Sequence, residues 1–174
     1  MSHLLLLSNS TMSGEPFFSW PEDYVRSFLG DDIREVLFIP YAAVTFSFGD
    51  YTSMVTAAFD RMGYGTRSIH TESKPQLAVK SAKAIVIGGG NTFALLNRLY
   101  QNDLIDLIKE KIKMGTPYIG WSAGANVACP SIMTTNDMPV VQPPSFEALD
   151  LVPFQINPHY TDYKPPGHGG ETRQ

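Results

Sequence analysis

Short, wholly apolar runs alternate along the chain with longer segments whose apolar residues recur every three or four positions. Leu4–Leu7 is the first run, closed by Ser8-Asn9-Ser10-Thr11, and predicts a buried strand entering a polar loop. Val36-Leu37-Phe38-Ile39, stopped by Pro40, reads the same way. Between Tyr51 and Met62, the residues Met54, Val55, Ala58, Phe59 and Met62 share one helical face, and Gly63 ends the helix. Thr66–His70 predicts a third strand, and Gln76–Ser81 a short helix after Pro75. Ala84-Ile85-Val86-Ile87 is apolar on both faces, as central parallel strands are, and Gly88-Gly89-Gly90 closes it. Helices are predicted over Thr92–Leu99 and Leu104–Met114, the second running from acidic to basic as the macrodipole favours. A strand over Pro117–Gly120 leads straight into Trp121-Ser122-Ala123-Gly124, with helix again over Ala125–Ala128. Strands thus alternate with helices as far as residue 128, which predicts an α/β fold with a mostly parallel sheet covered on both faces. From Ser131 the pattern loosens, leaving short strands expected at Pro139–Val141 and Phe154–Ile156 among several prolines.

Composition narrows this picture. The 174 residues, 43% hydrophobic and 17% charged, fit one domain with a real core, and no repeat or linker divides them. A net charge of −4 without a basic run argues against a nucleic-acid partner. Cys129 is the single cysteine and no secretory pattern opens the chain, so a cytoplasmic location is expected. No apolar run approaches the roughly 18 residues of a membrane span. The scattered histidines show no zinc spacing, and no metal or cofactor is expected.

Gly120-Trp121-Ser122-Ala123-Gly124 fits G-x-S-x-G in the strand–turn–helix setting that pattern requires. On so sharp a turn a bulky neighbour would clash, and Gly120, Ala123 and Gly124 keep the space clear. The helix that follows points free N–H groups at the site. Ser122 is therefore a candidate nucleophile, the plainer alternative being an ordinary helix cap. A serine hydroxyl needs a base and an orienting acid. His159, in Ile156-Asn157-Pro158-His159, is preferred to His168, which lies in a Pro/Gly-rich loop. Asp137 gives the chain order nucleophile, acid, base, although Glu147, Asp150 and Asp162 also follow Ser122.

Gly88-Gly89-Gly90-Asn91 lies between the best strand and a helix. A dinucleotide fingerprint fits poorly, because Phe93 occupies the third glycine position. An oxyanion-hole strand fits better: the Gly90 N–H would pair with the Ala123 N–H that follows the nucleophile. Asn91 is a candidate donor to substrate.

Taken together, Leu4–Thr11 (LLLLSNST), Gly88–Phe93 (GGGNTF), Tyr118–Ala125 (YIGWSAGA), Thr134–Pro139 (TTNDMP), Gln155–His159 (QINPH) and Gly169–Arg173 (GGETR) resemble peptidase E, of the serine-peptidase family that also holds cyanophycinase. The resemblance implies a cytoplasmic α-aspartyl dipeptidase, taking small dipeptides with an N-terminal aspartate and needing no cofactor. It also implies a three-layer, flavodoxin-like sandwich akin to class I glutamine amidotransferase domains. By motif match, Ser122 would be the nucleophile, His159 the base, Asp137 the third triad member, and Gly90 with Ala123 the oxyanion hole. Arg173 matches an arginine implicated in holding the substrate aspartate, and it is the only arginine after Ser122. A cyanophycinase-like action on β-linked aspartyl bonds, or an incompetent short form that binds acidic ligands or a partner, are the alternatives. The family's chains continue for several dozen residues past the segment matching Glu171-Thr172-Arg173. Residues 1–174 are therefore expected to form a single catalytic domain lacking the family's C-terminal segment, with an uncovered sheet edge.

Overall fold

The computed structural model describes residues 3–160. Five strands, β1 (Leu4–Leu7), β2 (Glu35–Ile39), β3 (Gly65–Ser68), β4 (Ile85–Ile87) and β5 (Tyr118–Trp121), form one all-parallel sheet in the order β1-β5-β4-β2-β3. The helices are α1 (Glu22–Leu29), α2 (Phe48–Met62), α3 (Pro75–Ser81), α4 (Thr92–Gln101), α5 (Ile105–Lys113) and α6 (Ala123–Asn126).

The two-residue period of the strands divides the core. Leu37, Ile39, Ile85, Ile87 and Tyr118 face one side and pack on α3, α4, α5 and α6. Val36, Phe38, Val86, Ile119 and Trp121 face the other and pack on α1 and α2. β4 is buried at every position because helices cover both of its faces, which is why its sequence shows no alternation. The fold is therefore a three-layer α/β sandwich of flavodoxin-like type.

Local chemistry sets the helix ends. The Ser47 side chain accepts the Asp50 N–H to cap α2, and Gly63, at φ 90°, closes that helix in the left-handed region. Arg98 of α4 reaches back to the carbonyls of Tyr41 and Ala43, fastening the loop after β2 beside the glycine run.

Three expectations are corrected. Residues 22–29, where the hydrophobic pattern predicts no element, form α1; only Val25 and Leu29 are buried there, too few to print a helical stripe on so polar a segment. The stretch Thr66–His70 is strand only to Ser68, and Ile69–Thr71 makes a single tight 3₁₀ turn. Pro139–Val141 and Phe154–Ile156 are not strands. The only ladder contact beyond β5 among the described residues is an isolated bridge between Ser131 and Glu147. The backbone of Ile156 is held by side chains instead. Its carbonyl accepts from Asn126 and Thr134, and its N–H meets the Cys129 sulfur.

Candidate active site

The carboxyl ends of β1, β4 and β5 meet at one crevice, where ligands bind in open parallel sheets. β5 delivers Ser122 at its tip. The turn there is as tight as the sequence implies: Ser122 has φ 52° and ψ −115°, its N–H donates to the Leu7 carbonyl, and its own carbonyl accepts from Ala125 and Asn126. Its side chain makes no capping bond, so the cap alternative fails and the hydroxyl is free to face the crevice. The glycines are steric necessities. A Cβ on Gly120 would lie 2.4 Å from the Gly124 carbonyl oxygen, and one on Gly89 would lie 2.9 Å from the Ser122 Cβ.

His159 stands opposite, exposed and also in the left-handed region at φ 62°. Its backbone N–H donates to Ser8 Oγ at the end of β1. Its Nε2 lies 2.8 Å from Ser122 Oγ, a hydrogen bond joining the two residues that the sequence nominated as nucleophile and base. Ser122 and His159 are two of the five non-glycine residues at positive φ among the described residues, and such strain is common where geometry serves chemistry.

Gly90 and Ala123 flank the serine. Gly90 adopts φ 135°, and a Cβ there would meet the Ala42 carbonyl oxygen at 2.4 Å. That same carbonyl accepts the Asn91 N–H at 2.8 Å, locking the glycine run against the loop held by Arg98. The N–H groups of Gly90 and Ala123 have no acceptor among the described residues. Tyr51 ties the run to β5, since its oxygen takes the Trp121 indole N–H and the backbone of Gly89. Burial pushes the Tyr51 phenol well above its ordinary pKa, so it stays neutral. Burial likewise pushes up the Cys129 thiol, which is inert toward catalysis.

Asp137 is at the site but not on the imidazole. Its Oδ2 accepts from the Thr92 N–H at 2.7 Å, the Thr92 hydroxyl at 2.6 Å and the Thr135 hydroxyl at 3.1 Å. The two Thr92 donors sit at the start of α4, and no hydrogen bond joins Asp137 to His159 among the described residues. Asn91 also differs from expectation. Its Oδ1 caps α4 by accepting the Ala94 N–H, and its Nδ2 donates to the Met138 carbonyl, so neither group is open to a ligand. Arg173, His168 and Asp162 lie outside the described residues.

A family model described as peptidase family S51 matches residues 4–174 of the chain. The chain belongs to peptidase family S51. Peptidase E of Nostoc sp. is 50% identical to it over 171 residues, covering 98% of this chain and 71% of that protein. Peptidase E of Shewanella denitrificans is 48% identical over 169 residues, covering 97% of this chain and 72% of that protein. A crystal structure of a peptidase E protein from Listeria monocytogenes EGD-e superimposes with a TM-score of 0.70 at 28% identity, over 89% of this chain and 77% of that one. A peptidase from an acI-B1 Actinobacterium shares the fold, with a TM-score of 0.68 over 90% of this chain and 68% of that one. Membership in S51 makes this chain a serine-type peptidase. Among its described residues, no helix is long and apolar enough to cross a membrane.

One residue at the crevice is not singled out by the sequence. Asn126, on α6 four positions after Ser122, is 1% exposed and donates from Nδ2 to Thr134 Oγ1 and to the Ile156 carbonyl, each at 2.9 Å. It thereby fastens the segment carrying His159 to the helix that follows Ser122. Its Oδ1 is buried without a partner. The only signal was an asparagine inside the otherwise small and apolar run Ala123–Ala128, which reads equally as a tolerated polar residue.

Proposed function

We propose that the chain hydrolyses the α-peptide bond of dipeptides with an N-terminal aspartate, using Ser122 as nucleophile and His159 as base. The 2.8 Å bond between His159 Nε2 and Ser122 Oγ, at a turn that leaves the hydroxyl uncapped, carries this reading. Nε2 takes the Oγ proton as Oγ bonds to the scissile carbonyl carbon. The Gly90 and Ala123 N–H groups receive the oxyanion, a contribution of several kcal/mol for two such donors. The imidazolium then passes its proton to the departing amine as the C–N bond breaks, leaving an aspartyl ester on Ser122. Water, deprotonated by His159, attacks that ester and releases aspartate and free Ser122. The scheme uses only side chains, backbone and water.

Aspartate preference follows from the resemblance to peptidase E, with Arg173 as the proposed two-pronged partner of the substrate carboxylate. The lone buried Cys129 suits a cytoplasmic enzyme. The deciding experiment compares Asp-Leu, Asn-Leu and the β-linked isomer of Asp-Leu. Hydrolysis of Asp-Leu well above the other two is expected. Equal rates on Asp-Leu and Asn-Leu would remove the aspartate preference, and faster turnover of the β-linked isomer would make the enzyme cyanophycinase-like.

Asp137 acts in this scheme through its charge, from beside the imidazolium, and not through a hydrogen bond to it. Asp137→Asn keeps an oxygen for the Thr92 and Thr135 donors while removing the charge. Its kcat is expected to fall about tenfold, the scale of one Coulombic contact in a partly solvated site. A carboxylate bonded to the ring would cost about 10⁴-fold instead. Steady-state kinetics separates these outcomes, and a loss near the larger figure would show that Asp137 swings onto His159 when substrate binds.

A further inference from the structure

The serine–histidine pair stands between two recesses of unlike character. One, of about 250 Å³, is walled by Thr92, Asn126, Thr135 and Asn136 beside Ser122 and His159. The other, of about 460 Å³, shares Ser122, Asp137 and His159 but is walled by Phe17, Phe46, Tyr51, Met54 and Trp121. The polar atoms of its two largest aromatic walls are already satisfied, because the Trp121 indole N–H donates to the Tyr51 oxygen at 3.0 Å. Tyr51 braces the wall, standing edge-on to Phe46 and to Trp121 with centroids 5.0 and 6.5 Å away. Phe46 and Met54 stay 44% and 47% exposed beside the nucleophile, although both are large apolar side chains that ordinarily gain by being covered.

An aspartyl dipeptide has two unlike halves around its scissile bond. The acyl half carries an ammonium and a carboxylate, and hydroxyl and amide walls suit it. The leaving half carries an arbitrary side chain. We propose that the apolar recess is the subsite for the side chain of the leaving residue, so that the enzyme selects dipeptides whose second residue is large and apolar. This rests on the serine dipeptidase reading of the same site. Among the described residues no lysine or arginine lines the recess, so nothing there offsets the desolvation of an acidic second residue.

The test measures kcat/KM for Asp-Leu, Asp-Phe, Asp-Gly and Asp-Glu. Asp-Leu and Asp-Phe are expected to exceed Asp-Gly by at least about tenfold, the scale of a few methylenes in an apolar pocket, with Asp-Glu poorest. Met54→Asn and Phe46→Ser change half-exposed positions, and each is expected to lower the Asp-Leu to Asp-Gly ratio several-fold. Calorimetry on the Ser122→Ala protein repeats the ranking as Kd without turnover. Turnover with no preference for apolar second residues, or ratios unmoved in both variants, overturns the subsite. Selective binding of Asp-Leu with no turnover by the unaltered enzyme would sink the peptidase reading and leave the subsite standing. Absence of selectivity in both turnover and binding overturns the subsite outright.

Discussion

Ser122→Ala is expected to lower kcat on Asp-Leu by on the order of 10⁶-fold, the scale seen when a serine peptidase loses its nucleophile. The substitution isolates chemistry from folding. Alanine needs the same unfavourable backbone at φ 52° that serine already adopts, and the serine side chain makes no capping bond that would be lost. Among the described residues the hydroxyl's one hydrogen-bond partner is His159 Nε2. The thermal midpoint should therefore hold while activity vanishes. Retained turnover would refute Ser122 as nucleophile, and a collapsed melting transition would show that the hydroxyl supports the turn itself.

Gly124→Ala is the complementary case, in which stability fails first. A Cβ on Gly124 would lie 2.1 Å from the Ile87 carbonyl oxygen and 2.8 Å from its carbon. Both atoms belong to the backbone of central strand β4, which helices pin from either side, so no flexible side chain is available to yield. The added methyl must push α6 off the sheet, taking with it the Tyr118 hydroxyl bond to the Gly124 carbonyl. A loss of about 3 kcal/mol or more is expected, and a midpoint roughly 6–12 °C lower for a chain of this size. Gly115→Ala is the control. Gly115 has φ 96° but nothing within 4 Å of a built Cβ, so only backbone strain opposes the change. Its cost should be about 1–2 kcal/mol. Equal melting of the two variants would mean that α6 is far softer than its packing indicates.

The contrast between those two glycines also describes what was legible in the chain. Features written within a few residues of each other could be read directly. The apolar run of β4, the one-sided stripe of α2 and the strand–turn–helix around Ser122 are local patterns, and the sheet built itself from them. The candidate nucleophile and base could be nominated because the motif is short and the downstream histidines are few. What the sequence obscured depends on partners far along the chain. Asp137 lines the crevice beside the serine, but its bond to Thr92 spans 45 residues and decides which atoms its carboxylate serves. Residues 154–156 were read as a strand because they are apolar and bounded by turns. The backbone groups of Ile156 are taken instead by Asn126, Thr134 and Cys129. Asn91 was misassigned for the opposite reason. Its role is local, since an asparagine just before a helical stripe is a strong cap, while the neighbouring glycines suggest a substrate contact.

The bond from the His159 N–H to Ser8 Oγ joins residues 151 positions apart in the chain. Contacts that close so long a loop form late, because the entropy of closing it must be met before the contact contributes. Trp121 packs on Phe18 and Phe38, and that packing needs neither Ser8 nor residue 159. Ser122 can thus be mounted on a largely condensed sheet while its base is still unplaced. A nascent or refolding chain would then pass through a compact stage with an idle serine. Proteolytic power would arrive only when the first strand and residue 159 meet, which ties the onset of peptide cleavage to the completion of the fold.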